Sequence, residues 1–166
     1  MKPNIVWWRS RVIELTVALT MGSSLLYLIG NINDQRKEGV AASNWFVVNK
    51  LYVPSWSVGE DPIITYDRTI KEPFRGFWVT EVQHQDEDTG GFSLECSGSG
   101  INNYEAVDYI PNNQVMWSWY VGNKCSNLSP GQYRLRSSWV MRRSGWPDKS
   151  QVVYSNLFTV KPANRP

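Results

Sequence analysis

The stretch Gln132-Tyr-Arg-Leu-Arg-Ser-Ser-Trp-Val-Met-Arg142 alternates without a break. Tyr133, Leu135, Ser137, Trp139 and Met141 fall on one face, and Arg134, Arg136, Ser138, Val140 and Arg142 on the other. A period of two belongs to a β-strand, whose successive side chains point to opposite sides of a sheet. The stretch therefore predicts a strand with a core face and a wet face. Working outward, shorter runs of the same kind recur between turn residues. Trp45 to Val53 stops at Pro54, and Ile63 to Thr69 follows a turn at Gly59 to Pro62. Phe77 to His84 is apolar on both faces at its start, which predicts a central strand. Asp86-Glu-Asp-Thr-Gly-Gly91 is a hairpin turn by composition and leads into a partner strand at 92–96. Further strands are expected at 104–110, 115–121 and 152–160, the last beside 132–142, with Gly145 to Pro147 in the connecting loop. Many short strands between Pro, Gly and Asn, in a chain that is 13% aromatic, predict an all-β sandwich. Residues 45–160 number 116, which suits one domain with one core.

Ahead of this domain, Val12 to Ile29 reads VIELTVALTMGSSLLYLI, with Glu14 its single charge. As a helix it would rise about 27 Å, close to the thickness of a hydrocarbon core. Lys2, Arg9 and Arg11 precede it, whereas Asp34, Arg36, Lys37 and Glu38 follow and cancel. The positive-inside rule then keeps the N-terminus in the cytoplasm and exports the rest. The nearest small-residue cleavage pattern, Val40-Ala41-Ala42, lies some way past the apolar run, which favours an uncleaved signal anchor. Trp7 and Trp8 suit the headgroup layer, and Glu14, one turn from Arg11, reads as a paired interfacial residue. Val12, Leu19, Leu25, Leu26 and Ile29 would face lipid. Alternatively, Val12-Ile13-Glu14-Leu15 resembles the glutamate-bearing start of type IV pilins, although Arg9 and Ser10 replace that family's cleavage site. Residues 31–44 read as a stalk, helical in the first half.

Both cysteines, Cys96 and Cys125, fall in the exported part, where a disulfide forms and persists. Ahead of the deciding strand, Leu128-Ser-Pro-Gly-Gln-Tyr133 sets a tight turn followed by a tyrosine. This resembles the tyrosine corner of immunoglobulin-like and fibronectin III-like sandwiches. Trp78 precedes both cysteines, so the order is not that of a true immunoglobulin domain, and the bridge is expected to tie the 92–96 strand to the loop ahead of the tyrosine strand. More closely, the strand at Ile63 to Ile70, the Cys-Ser-Gly-Ser-Gly run at 96–100 and the Pro-Gly-Gln-Tyr-Arg run at 130–134 resemble small membrane-anchored proteins of tailed bacteriophages and prophages. That resemblance implies no catalytic residues.

The chemistry of an enzyme is hard to assemble from these residues. His84 is the single histidine, so neither a triad nor a zinc site has its ligands. Asp86, Glu87 and Asp88 lack the spacing of a calcium loop, no glycine-rich phosphate loop is present, and no cofactor or metal is expected. An enzyme would need Asp67, His84 or Glu105 in a shared cleft. Charge says more: residues 45–123 carry 4 basic and 11 acidic residues, and residues 124–166 carry 8 and 1, giving −7 and +7. Cross-strand pairing accounts for this simply. The functional alternative is a basic face of Arg134, Arg136 and Arg142, with Arg143 in the adjoining loop, that meets an acidic partner or anionic headgroups. Nucleic acid is disfavoured by the compartment and by a lack of aromatic interleaving on the wet face. Of nine tryptophans, Trp45, Trp56, Trp117, Trp119 and Trp146 are left for a sugar platform. Trp117 and Trp119 pattern as core, and Trp146, in a Gly-Trp-Pro loop, is the best exposed candidate.

The sequence thus predicts a cytoplasmic tail at 1–11, a transmembrane signal anchor at 12–30, a stalk at 31–44, an immunoglobulin-like sandwich at 45–161 and a flexible tail at 162–166. The expected role is a non-enzymatic binding module on a bacterial inner membrane, facing the periplasm, with an envelope or phage protein as partner. The alternatives are a virion or pilus-like component that self-associates through the helix, its Gly22, Ser23 and Ser24 allowing close contact, a secreted protein, and a carbohydrate-binding module.

Overall fold

In the computed structural model the backbone is described for residues 5–163, and the side chains for residues 14–107 and 113–163. The side chains of Trp7, Trp8 and Val12, and residues 164–166 of the expected tail, lie outside these. The chain divides into two units, 1–40 and 41–166.

The first unit is a single helix, α1 (Ile5–Gly39). Its segment Glu14–Gly39 is long and apolar enough to cross a membrane, and none of that window is buried. The helix continues past the apolar run because residues 31–38 hold neither Pro nor Gly. It ends at Gly39, with Arg36 and Lys37 in the last turn complementing the carbonyl end of the helix dipole. The expected stalk is therefore helical through Gly39, and a short 3-10 turn follows at Ala42–Asn44. The hydroxyls of Thr20, Ser23 and Ser24 donate to the carbonyls of Thr16, Thr20 and Thr20 at 3.0, 3.0 and 2.8 Å. Such back-bonding satisfies these three hydroxyls within the helix itself.

The second unit is mostly β. Its strands are β1 (Phe46–Tyr52), β2 (Trp56–Ser57), β3 (Ile63–Ile70), β4 (Phe74–Gln85), β5 (Phe92–Tyr104), β6 (Val107–Met116), β7 (Gly131–Arg142), β8 (Lys149–Tyr154) and β9 (Phe158–Lys161). One sheet runs β1-β3-β6, and the other β2-β9-β7-β4-β5 with β8 also on β7. The pairs are antiparallel except β2 with β9. The expected central position of the 77–84 run holds, since β4 lies between β5 and β7. The deciding stretch is β7, and its alternation is obeyed from Tyr133 to Met141, whose odd-numbered residues are all buried. Leu51, Ile64 and Tyr66 from the first sheet join Val82, Tyr133 and Leu135 from the second in one core, so the two sheets pack face to face without closing. Each fully buried apolar side chain of this size contributes about 1.5–3 kcal/mol.

Three expectations about elements are corrected. The sequence predicts strands at 104–110 and 115–121; instead one strand, β6, runs to Met116, and Trp117–Val121 forms a short helix, α2. The Trp117 N–H donates to the Pro62 carbonyl at 2.9 Å, and the Asp61 carboxylate accepts both the N–H and the hydroxyl of Ser118 at 2.9 and 2.8 Å. Those bonds satisfy the start of a helix and outweigh the strand preference of Trp, Tyr and Val. Second, 152–160 is two strands, because Asn156 leaves the ladder to bond the Val53 backbone, accepting from its N–H and donating to its carbonyl, each at 2.9 Å. Third, the partner strand expected at 92–96 extends to Tyr104.

Candidate functional site

The Cys96–Cys125 disulfide joins β5 to a 3-10 turn after α2, with Cα atoms 5.8 Å apart. It ties the strand to the loop ahead of the tyrosine strand, as the sequence implied. The Trp117 indole N–H donates to the Cys125 carbonyl at 2.9 Å, locking the same corner. Next to it, Tyr133 donates from its hydroxyl to the Ser129 carbonyl at 2.8 Å, four residues back.

The arginines of β7 do not form one field. On the outer face, Arg136 pairs with Glu81 at 3.0 Å, and Arg134 donates to the Gln83 side-chain oxygen at 2.9 Å. The Arg134 guanidinium also lies over Phe92 at 3.5 Å and Tyr154 at 4.6 Å. Aromatic side chains therefore do interleave with the basic face; they come from β5 and β8, so a reading of β7 by itself cannot find them. Arg142 and Arg143 lie at the other end of the strand. Arg142 pairs with Asp148 at 2.9 Å in the open, its side chain 71% exposed. Arg143 pairs with Glu72 at 3.1 Å and sits over the rings of Trp45 and Trp146. Two of the basic residues, Arg136 and Arg143, thus pair with carboxylates of the acidic segment, as cross-strand pairing implied, whereas the Arg142–Asp148 pair lies within the basic one.

Around Arg142 the surface is hollowed. A depression of about 400 Å³ on the outer sheet face is lined by Arg75, Phe77, Ile101, Val140 and Arg142. A second, of about 420 Å³, wraps the sheet end past Phe74, Tyr104, Glu105, Arg142 and Arg143. Sequence reading places Arg142 and Arg143 here but misses Arg75, Phe77 and Ile101. Their alternation on β4 and β5 is visible, yet only the register shows that they meet.

The tryptophans meet expectation in part: Trp78, Trp117 and Trp139 are core as the pattern implied, whereas Trp119 and Trp146 are placed otherwise. Trp45, Trp56, Trp78, Trp117 and Trp139 are core. Trp146 is half-buried edge-on against Trp45 at 5.7 Å, so it is not an open platform. Trp119 is 60% exposed, because helical spacing turns it out while Trp117, Tyr120 and Val121 turn in.

Asp67, His84 and Glu105 do not share a cleft. Asp67 is on β3 in the three-stranded sheet. His84 is near one end of β4, packed on Tyr133 at 4.9 Å, and Glu105 follows Tyr104, which pairs with the other end of β4. Among the described residues no group of three or more His, Cys, Asp or Glu is placed to hold a metal ion. Asp86 instead accepts from the N–H and hydroxyl of Thr89, both at 2.7 Å. These bonds lower its pKa and make it a turn residue.

No protein-family model matches the chain, and no curated protein matches it.

Proposed function

We propose that this protein is a single-span membrane anchor carrying an extracytoplasmic binding module of immunoglobulin-like type. The observation that carries the reading is the pairing of an apolar helix with no buried face and a β unit that holds its own core and disulfide. A helix that is apolar all round needs lipid or protein to cover it. The N-terminal position of the helix and the positive bias ahead of it favour an N-in anchor on a bacterial inner membrane. The disulfide supports an oxidising compartment outside the cytoplasm.

Three features support the immunoglobulin-like assignment. The β1-β3-β6 sheet stands against β5-β4-β7 with β8 and β9 on the far side of β7. Tyr133 makes the hydroxyl-to-backbone bond of a tyrosine corner at the start of β7. Trp78 fills the core from the central strand. The resemblance to phage-encoded anchored proteins favours a partner in the bacterial envelope or from the same phage. Intact mass before and after thiol reduction, with protease accessibility in spheroplasts, tests the reading. An uncleaved N-terminus, a two-proton mass gain on reduction and a protease-accessible β unit are expected. A soluble chain lacking the helix, or a protected β unit, overturns it.

A further inference from the structure

Arg75 and Arg142 are directly opposed on adjacent antiparallel strands, β4 and β7. Like charges in that position repel. Both side chains are exposed. Arg142 has an acidic neighbour in Asp148, but that contact is open to solvent and weak. Among the described residues Arg75 has no carboxylate within ion-pair distance. The next outward-facing row along the same strands is apolar: Phe77 opposes Val140 on one side and Ile101 on the other. Phe77 is 44% and Ile101 56% exposed, and these five side chains line the hollow of about 400 Å³ on the sheet face.

We propose that this hollow docks an extended segment of a partner protein that carries an acidic residue two positions from an apolar one. A carboxylate between two guanidinium groups relieves their repulsion and takes bidentate, charge-assisted bonds. Side chains two apart on a strand stand about 6.7 Å from each other on one face. The arginine row and the Phe77 row are separated by that same two-residue step, so an extended segment lying along β4 seats both side chains at once. An anionic headgroup could meet the arginines, but it has no counterpart to the strand-spaced apolar row. The inference rests on the reading of the β unit as a binding module and names its contact face.

The test uses full-length protein in zwitterionic detergent and a labelled, capped peptide, Ser-Thr-Glu-Thr-Leu-Thr-Ser, followed by fluorescence anisotropy. Binding is expected, weakened on the order of tenfold or more by Arg75→Gln, by Arg142→Gln, and by Gln in place of the peptide's Glu. Lys161→Gln, which removes an exposed charge on β9, should leave binding unchanged. Arg75→Gln should melt no lower than the parent, since it removes a repulsion, so lost binding is not lost folding. No binding at millimolar peptide, or binding indifferent to both substitutions, overturns the proposal. Binding to phosphatidylglycerol vesicles that requires Arg75 and Arg142, with no peptide binding, overturns it in favour of a membrane surface. A photoreactive residue in place of Phe77 or of Tyr52 on β1 separates this inference from the broader reading. In cell membranes, an adduct at Phe77 that the peptide competes away supports the site. An adduct at Tyr52 alone removes the site and leaves the module, and adducts at neither remove both.

Discussion

Thr80 and Ser137 are fully buried yet polar, and they face each other across β4 and β7. Their hydroxyls are 2.9 Å apart, and the Tyr120 hydroxyl reaches Ser137 at 3.0 Å, so α2 is hydrogen-bonded into the centre of the second sheet. Burial pushes the Tyr120 phenol up to about 12 against the bonds from Ser137 and Thr80, from an ordinary value near 10. The sign follows from proton binding. Between pH 10 and 12 the unfolded chain loses the phenolic proton while the folded chain keeps it, so stability is fully present below 10 and falls as pH rises toward 12. Two units correspond to about 2.7 kcal/mol. Urea midpoints measured from pH 9 to 12 should therefore decline, and Tyr120→Phe should flatten that decline; an unchanged slope would refute the assignment to Tyr120. The inward face of β7, Ser137 included, was legible from alternation. The third partner was not, because Tyr120 reaches the site only through a helix that a period-two reading of VMWSWYV does not allow.

At the scale of elements, α2 and the disulfide act together on the middle of β5. A Cβ at Gly98 would lie 2.6 Å from the Val121 backbone, and one at Gly100 would meet the Trp78 ring at 2.7 Å. The glycines of the Cys-Ser-Gly-Ser-Gly run are thus spaces for α2 and for the central tryptophan. Gly98→Ala should force α2 outward and cost about 1–3 kcal/mol, the range for overpacking against a rigid neighbour. A circular-dichroism melt that matches the parent would contradict that packing. The bridge from Cys96 to Cys125 closes a separation of 29 residues, which on the chain-entropy account stabilises by roughly 3.6 kcal/mol. Reduction should lower the urea midpoint accordingly, and should free Trp119, which rests 6.1 Å from Trp78, to shift its fluorescence. The sequence made the two cysteines and their pairing readable. It could not reveal why glycines follow Cys96 at positions 98 and 100, since that depends on α2 packing over Gly98 and on Trp78 of the neighbouring strand packing over Gly100.

For the whole molecule, the division at residue 40 separates two ways of satisfying apolar surface. The β unit buries its large side chains within itself, including Trp45, Phe46, Tyr133 and Phe158. The helix buries none of the window that could cross a membrane. That difference was legible in composition, because a long run with one charge has no period to hide one face from water. The strand connections were less so, because register depends on partners far away in sequence. If the two units are independent, a chain beginning at Ala41 should keep the urea midpoint of the full-length protein in zwitterionic micelles. Leu19→Arg together with Leu26→Arg should move the full-length chain from the membrane to the soluble fraction, since each arginine near the centre of a span costs about 2.5–3.5 kcal/mol on insertion scales. Its β unit should still melt as before. A lowered midpoint in the shortened chain would instead mean that the helix supplies packing to the β unit, and the anchor would then be part of the fold it carries.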